Sequence, residues 1–408
     1  MNIHHILTPL LLIPLTSLAA TGADRTSLAQ CLQLAAEHSP TLRAADLQVE
    51  RARALQGTAW DIDRTELSLA QDPTSGGSPD NAIALSQSIE FPTVYAARRS
   101  QLKAETRAEE SRRSVAAVQL RADIAAAYWQ LVYSQERVRI LAAQDSLLQR
   151  YADMARTRYK AGEARQLEAL AASRMLRENA LELASARSEF TTGQQLLASL
   201  IGTTAAIVPA DTALTALDYQ PTEFVYAATS DGELAYNELT VADKALRVAK
   251  NGYAPSLSVA LKNQLVISGW DPYHENRSRY TGGNFMGFEV GIGIPIFYGA
   301  TKARVKAARK DREIAEANMH SRQAARQAEH DAALARYTAA LARLHYYDGE
   351  GMAAANETAR LGTVEYENGE ISYIEYNAAL QEAADTRMRR ATAINDYNQA
   401  VIALQRMQ

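Results

Sequence analysis

The sequence predicts a mainly α-helical chain with a minor β component, built as two tandem copies of one unit: a helix, a strand pair and a long helical hairpin. Three observations carry this. A nine-residue motif recurs 203 residues further on, two proline-free stretches run far beyond the length of a globular helix, and segments with a period of two precede each stretch.

The recurring motif is Ile89-Glu90-Phe91-Pro92-Thr93-Val94-Tyr95-Ala96-Ala97, matched by Ile292-Gly293-Ile294-Pro295-Ile296-Phe297-Tyr298-Gly299-Ala300. Lys103-Ala104 and Lys306-Ala307 continue it at the same offset. Further on, Tyr159-Lys160-Ala161-Gly162-Glu163 matches Tyr366-Glu367-Asn368-Gly369-Glu370 at an offset of 207, with Glu168 in step with Glu375 and Phe190 with Tyr397. Upstream, Arg53-Ala54 to Gly57 pairs loosely with Val248-Ala249 to Gly252. Chance among Ala-rich helices does not produce three ordered matches. The chain therefore divides into a leader over 1–23, a first copy over 24–201, a linker over 202–222 carrying Pro209 and Pro221, and a second copy over 223–408.

Within each copy the elements follow from periodicity. The opening helices are expected over 26–57 and 231–252. In the second copy Leu257, Val259 and Leu261 alternate with small residues, and Phe288, Val290, Ile292 and Ile294 alternate with Gly287, Glu289, Gly291 and Gly293. A period of two puts the aliphatic residues on one face and the glycines with Glu289 on the other. Leu67 and Leu69, then Ile83, Leu85 and Ile89, repeat this more weakly. The aliphatic face suits lipid and the small, polar face a wet lumen. The loops over 71–81 and 268–284 separate the strands. Trp270, Tyr273 and Tyr280 in the longer loop fit either an interfacial belt or ordinary loop anchors.

Pro92 and Pro295 close the strand pairs, and proline suits the first turn of a helix. No proline follows until after Gly162 or Gly369. Seventy helical residues would span about 105 Å, which implies a coiled coil or a helical tube. Leu120, Ile124, Ala127, Leu131, Ser134, Val138, Leu141, Asp145 and Leu148 form a heptad seam, and Val118, Ala122, Ala125, Trp129 and Val132 form a second beside it. Two adjacent seams let a helix pack against a neighbour on each side, which is how helices close into a tube. Gly162 and Gly369 mark reversals into returning helices over 163–201 and 370–407.

The ends and the composition place the chain. Ile6 to Leu18 is an apolar run followed by Ser17-Leu18-Ala19 and Thr21-Gly22-Ala23, both of the small-x-small cleavage type, so export is expected. No later segment holds the roughly 18–20 consecutive apolar residues of a spanning helix, so any crossing must use strands closed into a barrel. The chain of 408 residues has a formal net charge of −4, which offers no field for nucleic acid. The single cysteine, Cys31, excludes a disulfide framework and a Cys-based zinc site. It lies well past the apolar run behind Leu28-Ala29-Gln30, and reads as a small buried residue rather than a lipid-bearing terminus. The seven histidines, His4, His5, His38, His274, His320, His330 and His345, form no ligand pair at helical spacing, and the methionines are scattered. Thr281-Gly282-Gly283-Asn284 is a turn signal rather than a phosphate loop. No catalytic residue, cofactor or metal site is expected.

The assembled pattern of leader, doubled units and glycine-marked tips resembles the TolC family of outer-membrane efflux proteins over essentially the whole mature chain. The segments 89–97 and 292–300 and the tips Arg158-Tyr159-Lys160-Ala161-Gly162 and Glu365-Tyr366-Glu367-Asn368-Gly369-Glu370 carry the resemblance. Glu90-Phe91-Pro92-Thr93-Val94-Tyr95 is similar to the CusC/CzcC branch that accompanies heavy-metal pumps. The resemblance implies a homotrimer in which each chain lends four strands to a 12-stranded β-barrel in outer-membrane lipid. A periplasmic α-helical barrel continues it. Its partners would be a periplasmic adaptor and an inner-membrane pump of the RND type. It further implies that Tyr366 and Glu168 hydrogen-bond between hairpins at the closed tip and that Glu375 forms an acidic ring there. Tyr159, Gly162 and Gly369 belong to the same tip, and the family's basic gate position is Ile371 here. The competing reading is a soluble periplasmic coiled-coil spacer or adaptor; an adaptor would carry one helical hairpin between compact β domains.

Overall fold

The computed structural model describes residues 25–72, 80–266 and 284–408. The expected leader and the loop aromatics Trp270, Tyr273 and Tyr280 lie outside the described residues. The chain begins with β1 (Arg25–Thr26), α1 (Leu28–His38) and α2 (Pro40–Leu55), where the sequence predicts one helix over 26–57. The break is at Ser39, which is extended at φ −64°, ψ 122°. Proline drives the residue before it out of the α region, and Pro40 then opens α2 at the position where its missing N–H costs nothing. Ser27 and Gln30 form a capping box that starts α1, and Cys31 packs in that helix fully buried.

A 3-10 turn, Gln56–Trp60, leads to the strand pair β2 (Glu66–Asp72) and β3 (Asp80–Glu90). Next comes α3 (Pro92–Lys160), 69 residues without interruption and about 100 Å long; α4 (Gln166–Ile201) returns along it. The linker contains β4 (Val208–Pro209), which pairs in parallel with β1. The second copy follows as α5 (Ser230–Asn251), β5 (Ser256–Val266), β6 (Asn284–Gly293), α6 (Gly299–Tyr346), a π-helical turn (Tyr347–Gly351), α7 (Met352–Glu367) and α8 (Tyr373–Gln405). Among the described residues no helix is long and apolar enough to cross a membrane.

Two expectations for the second copy are corrected. Pro92 is the first residue of α3, but Pro295 stands ahead of α6, which starts only at Gly299. In the first copy the Tyr95 hydroxyl accepts the Glu90 N–H at 3.0 Å and its ring stacks on Trp60 with centroids 5.2 Å apart. These contacts tie strand end and helix start together. Among the described residues the ring of the equivalent Tyr298 has only that of Tyr253, 6.5 Å away and tilted. The second long helix is also interrupted, by the π turn. Gly349 and Gly351 weaken the α-helix there, and Arg390 of α8 bonds the Asp348 carboxylate through Nε at 2.8 Å and Nη2 at 2.5 Å.

The two hairpins join through β3 and β5 into one antiparallel sheet in the order β2-β3-β5-β6. Beside it α2, α3, α5 and α6 lie in sequence, each packed on the next. Ion pairs cross every contact: Arg53 with Glu110 at 2.7 Å, Arg112 with Glu238 at 2.9 Å, and Arg312 with Asp243 at 2.8 Å. The largest core lies further along, where α1, α3, α4, α6 and α8 meet. Six positions of the predicted seam, Leu120, Ile124, Leu131, Ser134, Leu141 and Leu148, are buried, as are Trp129 and Val132 of the second. Tyr128, which belongs to neither seam, is fully buried and bonds Asp211 of the linker.

The linker is thus part of the core. Ile207 and Leu214 are buried in it. Asn398 of α8, fully buried, accepts the Leu217 N–H at 2.9 Å and donates to the Thr215 carbonyl at 2.8 Å. Gly202, which ends α4 at φ +87°, admits no side chain: a Cβ would lie 2.5 Å from the His38 carbonyl oxygen. Replacing Asn398 by Ala leaves a buried donor and acceptor unpaired, a cost of about 1–3 kcal/mol each. The expected outcome is a lowered midpoint in thermal unfolding followed by circular dichroism, with helix content unchanged below the transition.

Candidate functional site

The register of the sheet sorts its side chains into two faces. Residues paired across antiparallel strands point the same way, so each row shares a face. Leu67, Leu85, Leu261 and Phe288 form one row. Ile89, Leu257 and Ile292 form another, and Val259 with Val290 lies between them. These rows make a mainly apolar band, interrupted by Gln87 beside Val259 and Asn263 beside Ile83, and it is open: Phe288 is 83% exposed. The opposite face carries Ser86, Ala260 and Glu289 in one row and Ser88, Ser258 and Gly291 in the next. Lys262 and Glu289 pair on it. The strands β3 and β5 have 11 residues each and β6 has 10, the length a tilted strand needs to cross hydrocarbon.

The far end of the helical hairpins is built twice by the same chemistry. Gly162 and Gly369 both sit at φ +78°, the left-handed conformation that glycine adopts without strain. The Glu163 N–H bonds the Arg158 carbonyl at 2.9 Å and the Gly162 N–H bonds Tyr159 at 3.0 Å. In the second copy Glu370 bonds Glu365 at 2.8 Å and Gly369 bonds Tyr366 at 3.0 Å. Both are Schellman turns that satisfy the last carbonyls of a helix. The Tyr159 ring is exposed.

Glu375 does not project freely. It is the third residue of α8 and closes a capping box: its carboxylate accepts the Ser372 N–H at 2.7 Å, and its own N–H bonds the Ser372 hydroxyl at 3.3 Å. The Ser372 backbone N–H, then its hydroxyl, hold this carboxyl below the ordinary glutamate range. Glu168 takes the matching place in the first turn of α4.

Tyr366 is held by rings. It stacks on Tyr376 with centroids 4.7 Å apart and planes 9° apart, and meets Tyr373 edge-on at 5.4 Å. Tyr373 in turn stacks on Tyr151 of α3 at 4.0 Å. Burial, then the neighbouring Tyr151, push the Tyr373 phenol far above its usual range. Tyr151 is raised by burial, then by Glu168 and Tyr366. Tyr366 thus packs against the Tyr151–Tyr373 cluster within one chain. A groove of about 220 Å³ lined by Leu147, Tyr151, Met154 and Tyr376 opens beside them. The sequence reading missed Tyr151, Tyr373 and Tyr376. The i, i+3 spacing of the last two was the available signal for a shared helix face.

Residues 235–408 match the family described as outer membrane efflux protein. The same fold recurs in a membrane protein from Pseudomonas aeruginosa, at 16% identity over 93% of each chain with a TM-score of 0.78. It recurs in CusC, whose structures describe folding and transmembrane channel formation, at 17% identity over 95% of this chain and 94% of that one, TM-score 0.76. VceC from Vibrio cholerae matches at 16% identity over 92% and 94% of the two chains, TM-score 0.73. No curated protein matches the chain in sequence.

Sheet, hairpins and matches define a transport duct of the outer membrane with a periplasmic helical extension. The second copy of the repeat carries the pattern of the outer membrane efflux protein family, whose members serve tripartite systems with an adaptor and an inner-membrane pump rather than catalysing a reaction, and the whole chain shares the fold of the TolC-type channels.

Two outcomes follow from these geometries. Leu261→Arg puts a charge on the apolar band at a cost of about 2–4 kcal/mol at the bilayer midplane; membrane fractionation is expected to show lost insertion, while Ala260→Arg on the opposite face still inserts. The Glu375 cap stabilises the fold above the carboxyl's unfolded-state value and is lost as pH falls through its depressed folded-state value. The melting difference between the natural chain and Glu375→Ala is therefore expected at neutral pH and shrinks in acid.

Proposed function

We propose that the chain works as a homotrimer whose three four-stranded sheets close into a 12-stranded barrel, with the hairpin ends as the gate. The observation that carries this is the sheet itself. Its outer strands β2 and β6 each lack a second neighbour among the described residues, while one face is apolar and open. Unpaired backbone is not tolerated in hydrocarbon, and four strands enclose no useful lumen. Copies placed head to tail satisfy both edges. The apolar band also argues against a soluble periplasmic spacer, which has no use for it.

The gate reading assigns Tyr159, Gly162, Glu168, Tyr366, Gly369 and Glu375 to the constriction. The two Schellman turns hold the tips in the same shape, and the Tyr366 stack with Tyr373 and Tyr376 holds the second tip against α3. Three copies of Glu375 around one axis favour cations, which supports cation cargo, heavy-metal ions included, delivered by an RND-type pump through a periplasmic adaptor. Planar-bilayer conductance of the purified protein tests this. A small cation-selective conductance is expected, with reduced selectivity in Glu375→Ala and larger conductance in Tyr366→Phe and Tyr373→Ala. A protein that never conducts and stays soluble without detergent sinks the duct reading.

A further inference from the structure

The two copies of the repeat are packed differently at the junction of strand and helix, and the difference identifies a contact surface. In the first copy Val94 and Tyr95 are buried, at 9% and 2% exposure. They lie on α3, which has α2 with its 3-10 turn on one side and α5 on the other. The motif places Phe297 and Tyr298 in the equivalent positions, and there Phe297 is 96% and Ile296 74% exposed. The cause is topological. Among the described residues α6 has α5 on one side at this level, and its other side has no counterpart to the helix that flanks α3. The chain runs out of helices of that kind.

The opposite end of the same row shows the complementary surface. Trp60 gives one ring face to Tyr95 yet stays 58% exposed. Leu55 and Ile62 beside it are exposed too. These residues immediately precede β2, one open edge of the sheet, and Ile296 and Phe297 immediately follow β6, the other open edge. β2 starts and β6 ends at the same end of the sheet, since alternate strands are antiparallel. Any second copy that joins its β2 to this β6 brings its Trp60 segment level with Phe297.

We infer that Ile296 and Phe297 of one copy dock against Leu55, Trp60 and Ile62 of a second copy of this chain, forming the protomer contact at the base of the barrel. The internal repeat is the template: α5 flanks the Val94 junction within a chain, and α2 of the next chain flanks the Phe297 junction between chains. The larger Phe297 replaces Val94 where the neighbour arrives only on assembly. The inference rests on the homotrimer proposed above and adds its residues.

The test is cross-linking with a short bis-maleimide on detergent-solubilised full-length protein carrying Phe297→Cys and Ile62→Cys, with native size measured on the same sample. Cys31 is fully buried, and desolvation pushes its thiol up to about 11, so it stays silent. Expected is a denaturation-resistant ladder up to three chains, absent from either single variant and from Phe297→Cys with Leu181→Cys. In parallel, Phe297→Ala should weaken assembly about tenfold or more without changing helix content, because the ring contacts little within its own chain. A trimer by native size that gives no ladder and tolerates Phe297→Ala overturns the contact and leaves membrane lipid as the occupant of this patch. A monomer by native size overturns the trimer itself.

Discussion

A strand in hydrocarbon needs a neighbour on each side, because water is absent and each unpaired N–H or C=O costs several kcal/mol. This constraint organises the molecule. One chain supplies four strands with one apolar face, too few to close and too apolar to stand in water. The doubling of the unit follows from it, since β3 and β5 use the repeat to pair with each other. The helices inherit the same arrangement. Each strand pair hands its direction to a long helix, so the side-by-side order of the strands becomes the side-by-side order of α2, α3, α5 and α6.

Much of this was legible in the sequence because its signals are periodic. The alternation over 256–261 and 287–294 marked the faces of the sheet, and the seam from Leu120 to Leu148 marked the buried side of α3. Gly162 and Gly369 marked the reversals because only one residue type takes their conformation easily. What was missed depends on tertiary partners. Tyr128 breaks both seams because it serves the linker, which approaches α3 from outside its helix pairs. The linker itself has no periodicity, and its place is set by Asn398, 181 residues beyond Leu217. The tyrosines at the tip looked like isolated polar aromatics until α3 and α8 brought Tyr151 against Tyr373. Ser39-Pro40 was readable by local rules, yet the helical pattern on both sides masked it.

The tip combines two kinds of restraint. Backbone geometry sets the shape of each turn, through the paired hydrogen bonds around Gly162 and Gly369. Side chains set its attachment: rings hold the second tip against α3, and a carboxylate held below its usual range caps α8. The first kind is blind to pH and salt, and the second is sensitive to solvent.

The π turn at Tyr347–Gly351 lies in the stretch where the two copies differ in length. The offset between them is 203 residues at Lys103 and Lys306 but 207 at Gly162 and Gly369. Four extra residues in a straight α-helix add one turn plus about 40° of phase, the stutter of coiled-coil geometry. A π turn winds more residues into one turn and absorbs the leftover phase, though not the added turn. α6, the π turn and α7 together hold as many residues as the unbroken α3, because α6 begins four residues after Pro295. Above this level the two halves of the chain are near equivalents, so the proposed ring of three chains would have an approximate six-fold repeat. Below it one hairpin carries the π turn and its sister does not, so the tip of that ring would be only three-fold symmetric. A push from beneath on such a ring would meet two unlike springs in alternation.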